Sequence, residues 1–309
     1  MEDALWIVKS ILSRSLYALY SFIAVWRVTE ALNETIYWLL LFTLCPLALE
    51  TVHSVLIRKG NEMKWMTPSV LFYLLCGIPC IWLLEVKLLS DRLTNLSPTN
   101  TSSIESPSSV LGSSSSSYRL YNRLACELLK TLVENKGYLD DEGWTLALEQ
   151  ILIFVLVIGK WIAPKGELSR NELSQLLLVN IAAGADIIEL LEVFGETKVS
   201  QNAELVYLVM AIWTWSLLQF CLVLTASKDL PNLNDNDNET EIYRAAADSK
   251  IWGMVMSILF QDGPFLILRL FIMLHYKVVT HMNVFFTCKN VLVIILLLNR
   301  IRVIFLEER

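Results

Sequence analysis

Long apolar blocks constrain this chain more than any other feature of its sequence. Mostly apolar stretches of about 20 to 25 residues recur along its length, and a helix of that length crosses about 30 Å of hydrocarbon. Hydrophobic residues make up 55% of the chain and charged residues only 18%, whereas soluble domains contain about 25% charged residues. The sequence therefore predicts an all-α, polytopic membrane helical bundle. It argues against nucleic-acid binding and against soluble hydrolase chemistry.

Hydropathy predicts about eight transmembrane helices. The first is weakened by Arg14, and the seventh is interrupted by Gln261-Asp262-Gly263-Pro264. The approximate limits of the eight segments are 10–28, 36–57, 68–89, 144–163, 173–194, 205–226, 251–275 and 281–303.

Basic residues in the short connections predict the orientation of these helices, because Lys and Arg are enriched on the cytosolic side. The connections at 58–67, 160–172 and 227–250 and the C-terminus carry three Lys or Arg residues each, and the alternate connections carry one each. We therefore expect both termini to be cytosolic. The expected location is the plasma membrane or another membrane of the secretory pathway.

The predicted organisation has three parts. Residues 1–89 contain transmembrane helices 1–3, and residues 144–309 contain helices 4–8 with a short cytosolic C-terminus. Between them, residues 90–143 form an extracytosolic Ser-rich loop followed by an amphipathic helix at about 118–135.

Sequons predict N-glycosylation of this loop. Asn100 is the better acceptor, because Asn95 lies close to the membrane. Asn238 also begins a sequon, but it falls on the predicted cytosolic side, and we expect no glycan there.

Similar stretches in the fourth and eighth segments suggest an internal duplication. In the fourth, Glu149-Gln150 is followed by nine residues and Lys160, and in the eighth, Lys289-Asn290 is followed by nine residues and Arg300. A block of four helices is even, so two copies would share one orientation as parallel four-helix repeats. The alternative is chance similarity between apolar helices.

Proline and glycine at mid-span predict helix breaks, because proline removes a backbone hydrogen bond and clashes with the preceding turn. Pro79 lies near the centre of the third segment, and Gly263 and Pro264 lie at the centre of the seventh. Breaks at corresponding positions of two halves mark binding sites in transporters. A plain kink is the alternative.

Ionisable residues inside the apolar segments are the candidate functional residues. Each costs about 2.5–3.5 kcal/mol at mid-depth, so we expect them to face one another or water inside the bundle. Asp186 and Glu189 are expected to pair with Arg269 and Lys289. The charges form either a structural ion-pair network or a polar path for an ion, a proton or a lipid headgroup. Besides Arg14, the predicted intramembrane polar cluster comprises Asp186, Glu189, Asp262, Arg269, Lys289, Glu50, Glu85 and Glu149.

Catalytic and cofactor patterns are weak. Glu50 and His53 form a single Glu-x-x-His pattern, whereas di-iron bundles use two such motifs. The chain has three histidines and no nucleophile–base pattern, phosphate loop or dinucleotide fingerprint. We expect no enzymatic activity, no metal and no cofactor, with membrane lipids as partners and no nucleic acid.

Motifs in nearly all the apolar segments resemble those of the transmembrane protein 26 family. The most specific are QDGPFL at 261–266 and IWTWS at 212–216. The resemblance implies a multi-pass protein with eight transmembrane helices and does not extend to the Ser-rich loop. It implies no reaction and no catalytic residues. Further matching stretches are VWRVTE, WLLE, WTLALEQ, IGKWIAPKG, RNELSQLLL, ADIIE and Lys289-Asn290.

These observations predict a non-enzymatic membrane scaffold or receptor-like protein with a buried charge cluster. The alternative is a transporter or lipid scramblase-like protein that uses the broken helix around Asp262-Gly263-Pro264. Eight helices in two halves, with intramembrane charges, are similar in architecture to XK-related lipid scramblases.

Overall fold

The protein is helical in every part of the chain that its computed structural model describes. These parts are residues 2–57, 66–96, 140–163, 170–222 and 251–307. They contain no strand, and one isolated antiparallel bridge joins Met66 to Leu222. The predicted all-α class is confirmed.

The long helices are α1 (Glu2–Leu32), α2 (Thr35–Ile57), α3 (Pro68–Leu96), α4 (Asp141–Ile162), α5 (Arg170–Leu191), α6 (Ala203–Cys221), α7 (Ile251–His275) and α8 (His281–Glu307). Helix α2 begins as a 3-10 helix at Thr35–Thr43, and α6 ends in a 3-10 turn at Leu218–Cys221. A 3-10 turn at Glu192–Gly195 and a single helical turn at Thr197–Ser200 join α5 to α6.

Six of these helices are long and apolar enough to cross a membrane, namely α2, α3, α4, α6, α7 and α8. They coincide with six of the predicted segments. The remaining two segments fall on α1 and α5, which are helical but less apolar and are not among the six. Membrane crossing by α1 and α5 therefore stays a prediction.

Ion pairs gather helix termini at one end of the bundle, which we call the ionic end and define by Arg27, Lys87 and Asp141. Asp141 at the start of α4 accepts hydrogen bonds from Arg27 near the end of α1 and from Lys87 near the end of α3. Helices α1 and α3 therefore run parallel to each other, and α4 runs antiparallel to both.

Backbone contacts join the opposite end of the bundle. The Thr67 N–H, just before α3, donates to the Cys221 carbonyl at the end of α6 over 2.8 Å. Lys160 near the end of α4 donates to the Phe220 carbonyl over 2.7 Å. Starts and ends therefore alternate between the two ends of the bundle, as expected for an up-and-down arrangement.

Close packing of α1, α3 and α4 forms the centre of the core. Tyr17 stacks on Tyr73 with ring centroids 4.7 Å apart, and the Tyr73 hydroxyl donates to the Leu152 carbonyl over 2.9 Å. Gly159 on α4 allows the approach of Tyr17, because a Cβ at Gly159 would lie 2.4 Å from the Tyr17 ring.

Pro79 does not interrupt α3, so the prediction of a helix break there is wrong. The helix continues from Pro68 to Leu96 with Pro79 inside it. Membrane helices tolerate proline because neighbouring groups can satisfy the freed carbonyl.

The chain at Gly263-Pro264 is a π-helical turn rather than an open break. The turn covers Ile258–Asp262, and the Gly263 N–H donates to the Ile258 carbonyl five residues earlier. A Cβ at Gly263 would lie 2.6 Å from that carbonyl oxygen, so this close approach requires glycine. The α-helix resumes at Gly263 and continues to His275.

Helices α2 and α8 lie at the periphery of the bundle. Their apolar side chains are mostly exposed, including Phe42 and Leu49 on α2 and Ile295, Leu296 and Phe305 on α8. Apolar surface of this kind is suited to lipid contact.

Most of the predicted Ser-rich loop lies outside the described residues. Asn100 and the predicted amphipathic helix at 118–135 belong to this part, whereas the backbone of Asn95 lies in the last turn of α3. The division into three parts therefore stays a prediction.

Candidate functional site

The predicted polar cluster is separated into three groups in the structure, so its eight residues do not form one site. The reason is that they lie on helices with different neighbours. Glu50 pairs with Arg14 on α1, and Glu85 and Glu149 lie on α3 and α4. The other five residues, which we call the Asp186 cluster, are Asp186, Glu189, Asp262, Arg269 and Lys289 on α5, α7 and α8.

Ion pairs hold the Asp186 cluster together. Arg269 Nη2 lies 2.8 Å from Glu189 Oε1, and Lys289 Nζ lies 3.2 Å from Glu189 Oε2. Lys289 also donates to Asp186 Oδ1. The predicted pairing of the two carboxylates with these two basic residues is confirmed. Because the acids come from α5 and the bases from α7 and α8, the cluster ties three helices together.

Two glutamines extend this network to α6. Gln261 Nε2 donates to Asp186 Oδ2 over 2.8 Å, and Gln219 Nε2 donates to Gln261 Oε1 over 2.9 Å. Gln219 was not identified from the sequence. The sequence does contain a signal for Gln219, because an amide that is buried inside an apolar segment requires a hydrogen-bonding partner.

Asp262 lies beside the ion pairs and not within them. Its carboxylate accepts a hydrogen bond from Ser257 Oγ over 3.1 Å, and the residue is 4% exposed. Among the described residues, no basic group lies within salt-bridge distance of Asp262. The aspartate at the π-helical turn is therefore buried without a cationic partner in that part of the chain.

The Asp186 cluster extends from the middle of α7, where Asp262 lies, toward one end of the bundle. At 1.5 Å per residue, Arg269 is about 9 Å from the end of α7 and Lys289 about 12 Å from the start of α8. The side chain of Arg269 is 1% exposed, whereas that of Lys289 is 31% exposed. Phe286 lies under the Arg269 guanidinium at 4.7 Å. The cluster is therefore buried on the α7 side and partly exposed at the α8 surface.

The Arg14–Glu50 pair joins α1 to α2. Arg14 Nε and Nη2 lie 2.8 and 2.9 Å from the two oxygens of Glu50, and Nη2 also donates to Ser54 Oγ over 3.2 Å. Both Glu50 oxygens accept hydrogen bonds from Arg14, so Glu50 is not free to bind a metal together with His53. The described residues contain no group of three or more possible metal ligands.

Glu85 and Glu149 form the third group together with Arg92 and Glu142. Arg92 Nη2 lies 2.6 Å from Glu142 Oε1, and Arg92 Nη1 lies 3.9 Å from Glu85 Oε2. Glu85 is 5% exposed and Glu149 is 2% exposed. Glu149 Oε1 and Glu85 Oε2 accept no hydrogen bond within the described part of the chain.

The ionic end was missed from the sequence. Besides its pair with Asp141, Arg27 lies over the Trp144 ring at 5.3 Å and pairs with Glu30 at 3.1 Å. Charges at helix ends are ordinary in membrane proteins, so none of these residues stood out individually. Their common signal was that Arg27, Lys87 and Asp141 all fall on the predicted extracytosolic side.

Comparison with known proteins finds a family model that matches nearly the whole chain. The family model described as transmembrane protein 26 matches residues 4–300. No solved structure matches the chain at a significant level. Together with the six apolar helices, the family match identifies an integral, multi-pass membrane protein.

Proposed function

The chain belongs to the transmembrane protein 26 family, and we propose that it is a non-enzymatic membrane scaffold or receptor-like protein whose intramembrane charges hold its helices together. One observation carries the proposal. Two buried arginines of the predicted transmembrane segments are paired with carboxylates on other helices, Arg14 with Glu50 and Arg269 with Glu189. A charge that is already paired is not free to bind a substrate.

The arrangement around Asp262 supports the same proposal. A transport path through the π-helical turn would need solvent access to this carboxylate, and Asp262 is 4% exposed. A crevice of about 370 Å³ does lie between α3 and α6, but Val86, Leu93 and Tyr207 are among its lining residues. The crevice is therefore lined by α3 and α6, whereas the Asp186 cluster lies on α5, α7 and α8.

Eight crossings with both termini in the cytosol complete the proposed topology. The alternation of helix ends supports it, because Arg27, Lys87 and Asp141 meet at one end while Lys160 lies at the other. The surplus of Lys and Arg in alternate connections supports a location of the ionic end outside the cytosol. We also propose that the helices form two parallel four-helix repeats. The support for these repeats is the sequence similarity between α4 and α8.

Reconstitution tests the proposed function directly. The purified protein, placed in liposomes, is expected to move neither fluorescent lipid nor ions faster than protein-free liposomes do. Heat-denatured protein carried through the same reconstitution is the control for leakage. Flux above both controls would contradict the proposal and favour a transport activity.

Lipid translocation is the second candidate function, and the partial exposure of the Asp186 cluster favours it. The side chains of Lys289 and Asp186 are 31% and 24% exposed inside helices whose surroundings are apolar. An exposed ammonium–carboxylate pair at this depth is complementary to a zwitterionic headgroup. If wild-type protein flips lipid, Lys289→Met should abolish the activity, whereas the outward-facing Leu296→Met should not.

The remaining parts of the proposal concern the cellular setting. We propose a location in the plasma membrane or another membrane of the secretory pathway, membrane lipids as the partners, and glycans at Asn100 and, less favourably placed, at Asn95. No catalytic group, metal or cofactor enters this function.

A further inference from the structure

Glu149 is the one glutamate of α4 that lies deep in the bundle core. It is eight residues from the start of α4, which places it about 12 Å below the ionic end. Its Oε1 accepts no hydrogen bond in the described part of the chain, and the residue is 2% exposed. The nearby Tyr20 hydroxyl is engaged elsewhere, because it donates to the Leu148 carbonyl over 2.9 Å.

The charges around Glu149 do not balance. Within the described ranges, the three carboxylates of Glu85, Glu142 and Glu149 share one cation, that of Arg92, which lies close to the first two. Glu149 interacts electrostatically with Glu85 and Arg92, with no ion pair of its own among the described residues. An ionised carboxylate that is buried without a partner costs several kcal/mol.

Other groups on the surrounding helices do not supply the missing cation. Arg27 and Lys87 are bound to Asp141 at the ionic end, and the acids of α5 are bound to Arg269 and Lys289. On α1, Arg14 is paired with Glu50 and Lys9 is exposed. The titratable and charged groups on these helices whose side chains are described are Lys9, Arg14, Tyr17, Tyr20, Arg27 and Glu30 on α1, Tyr73, Cys76, Cys80, Glu85, Lys87, Asp91 and Arg92 on α3, Asp141, Glu142 and Lys160 on α4, and Asp186 and Glu189 on α5.

We propose that Glu149 and Glu85 form an intramembrane proton-binding site, in which Glu149 carries the proton and Glu85 remains ionised beside Arg92. The proton binds a Glu149 carboxylate oxygen. The hydroxyl group formed in this way can donate a hydrogen bond, which neither glutamate could do if both were ionised. A metal ion is a poorer ligand here, because the described residues offer no group of three possible metal ligands. This site is separate from the Asp186 cluster and does not depend on the proposed scaffold function.

Infrared spectroscopy of the detergent-purified full chain tests the proposal. Wild-type protein at neutral pH should show the carbonyl band of a protonated carboxyl, and the band should shift in heavy water. Glu149→Gln should remove the band. Glu50→Gln is the matched control and should keep it, because both Glu50 oxygens accept hydrogen bonds from Arg14. A wild-type spectrum without the band, or a Glu149→Gln spectrum that retains it, overturns the proposal.

A second measurement needs no variant, in case Glu149→Gln fails to fold. A hydrophobic carbodiimide reacts with protonated carboxyls inside membranes, and the labelled residue is identified by mass spectrometry. Labelling of Glu149 and not of Glu50 in wild-type protein is the expected result. Labelling of both residues, or of Glu50 alone, contradicts a proton held specifically at Glu149. Labelling of neither residue also contradicts it.

Discussion

The indole N–H of Trp215 donates a hydrogen bond to the backbone carbonyl of Leu259 over 3.2 Å. In the π-helical pattern this carbonyl would bond the N–H of the residue five positions later, and that residue is Pro264, which has no N–H. Trp215 therefore replaces the backbone donor that proline removes. Its ring also stacks on Phe260 with centroids 5.0 Å apart.

Trp215→Phe should lower stability by about 1–3 kcal/mol, because it leaves the Leu259 carbonyl without a donor. The phenyl ring can still stack on Phe260, so the hydrogen bond is the main loss. In a Pro264→Ala background the restored backbone N–H can bond the same carbonyl, and the cost of Trp215→Phe should be smaller. Thermal unfolding in detergent micelles measures all four variants of this cycle. Strictly additive costs would contradict the assigned role of Trp215.

Glu189→Gln should destabilise the protein strongly. It leaves Arg269, which is 1% exposed, without its carboxylate at 2.8 Å. Breaking a buried pair by removing one partner typically costs about 3–5 kcal/mol. The matched control is Glu142→Gln, since the side chain of Glu142 is 65% exposed and such a pair contributes about 0–1 kcal/mol. Chemical denaturation measures the free energy of unfolding of the two variants. Equal losses of this free energy would argue against a structural role for the buried Arg269–Glu189 pair.

Gly159→Ala should destabilise the contact between α1 and α4. The added methyl group would lie 2.4 Å from the ring of Tyr17, which is itself stacked on Tyr73 and cannot easily move. We expect a loss of about 1–3 kcal/mol, the usual cost of overpacking a core. Gly253→Ala is the control, because nothing lies within 4 Å of its added methyl group. Alanine there should be neutral or stabilising by up to about 1 kcal/mol. A melting temperature that falls in both variants, or in neither, contradicts the described packing.

Glycan mapping checks the proposed orientation. Enzymatic removal of N-glycans should increase the mobility of wild-type protein from cell membranes on a denaturing gel. Asn100→Gln should lose most of that shift, because Asn95 lies within the last turn of α3, too close to the membrane for efficient modification. Asn238→Gln should behave as wild type. A glycan found at Asn238 would place the 227–250 connection outside the cytosol and invert the topology.

Much of the helical architecture follows from hydropathy, because crossing a membrane requires a long apolar stretch whatever the tertiary packing. The pairing of Asp186 and Glu189 with Arg269 and Lys289 could also be predicted. Opposite charges that are costly alone inside apolar helices are expected to meet.

The partner of Glu50 and the separation of Glu149 from the Asp186 cluster could not be predicted. Both depend on which helices are neighbours, and periodicity along one helix does not contain that information. Pro79 and Pro264 illustrate the same limit. Their sequence contexts are similar, yet α3 continues through Pro79, whereas the chain before Pro264 forms a π-helical turn. The difference lies in the backbone geometry at Gly263 and the donor supplied by Trp215 on another helix.

The distribution of the Asp186 cluster over α5, α7 and α8 has a consequence for biosynthesis. The ribosome makes α5 before α7 and α8, so in the proposed eight-helix topology Asp186 and Glu189 enter the membrane before Arg269 and Lys289 exist. Until the last two helices arrive, a pair of carboxylates must stay in the insertion machinery or remain uncharged. A chain that stopped before α7 would therefore display two unmatched acids to lipid, a chemical mark by which a cell could tell an unfinished chain from a finished one.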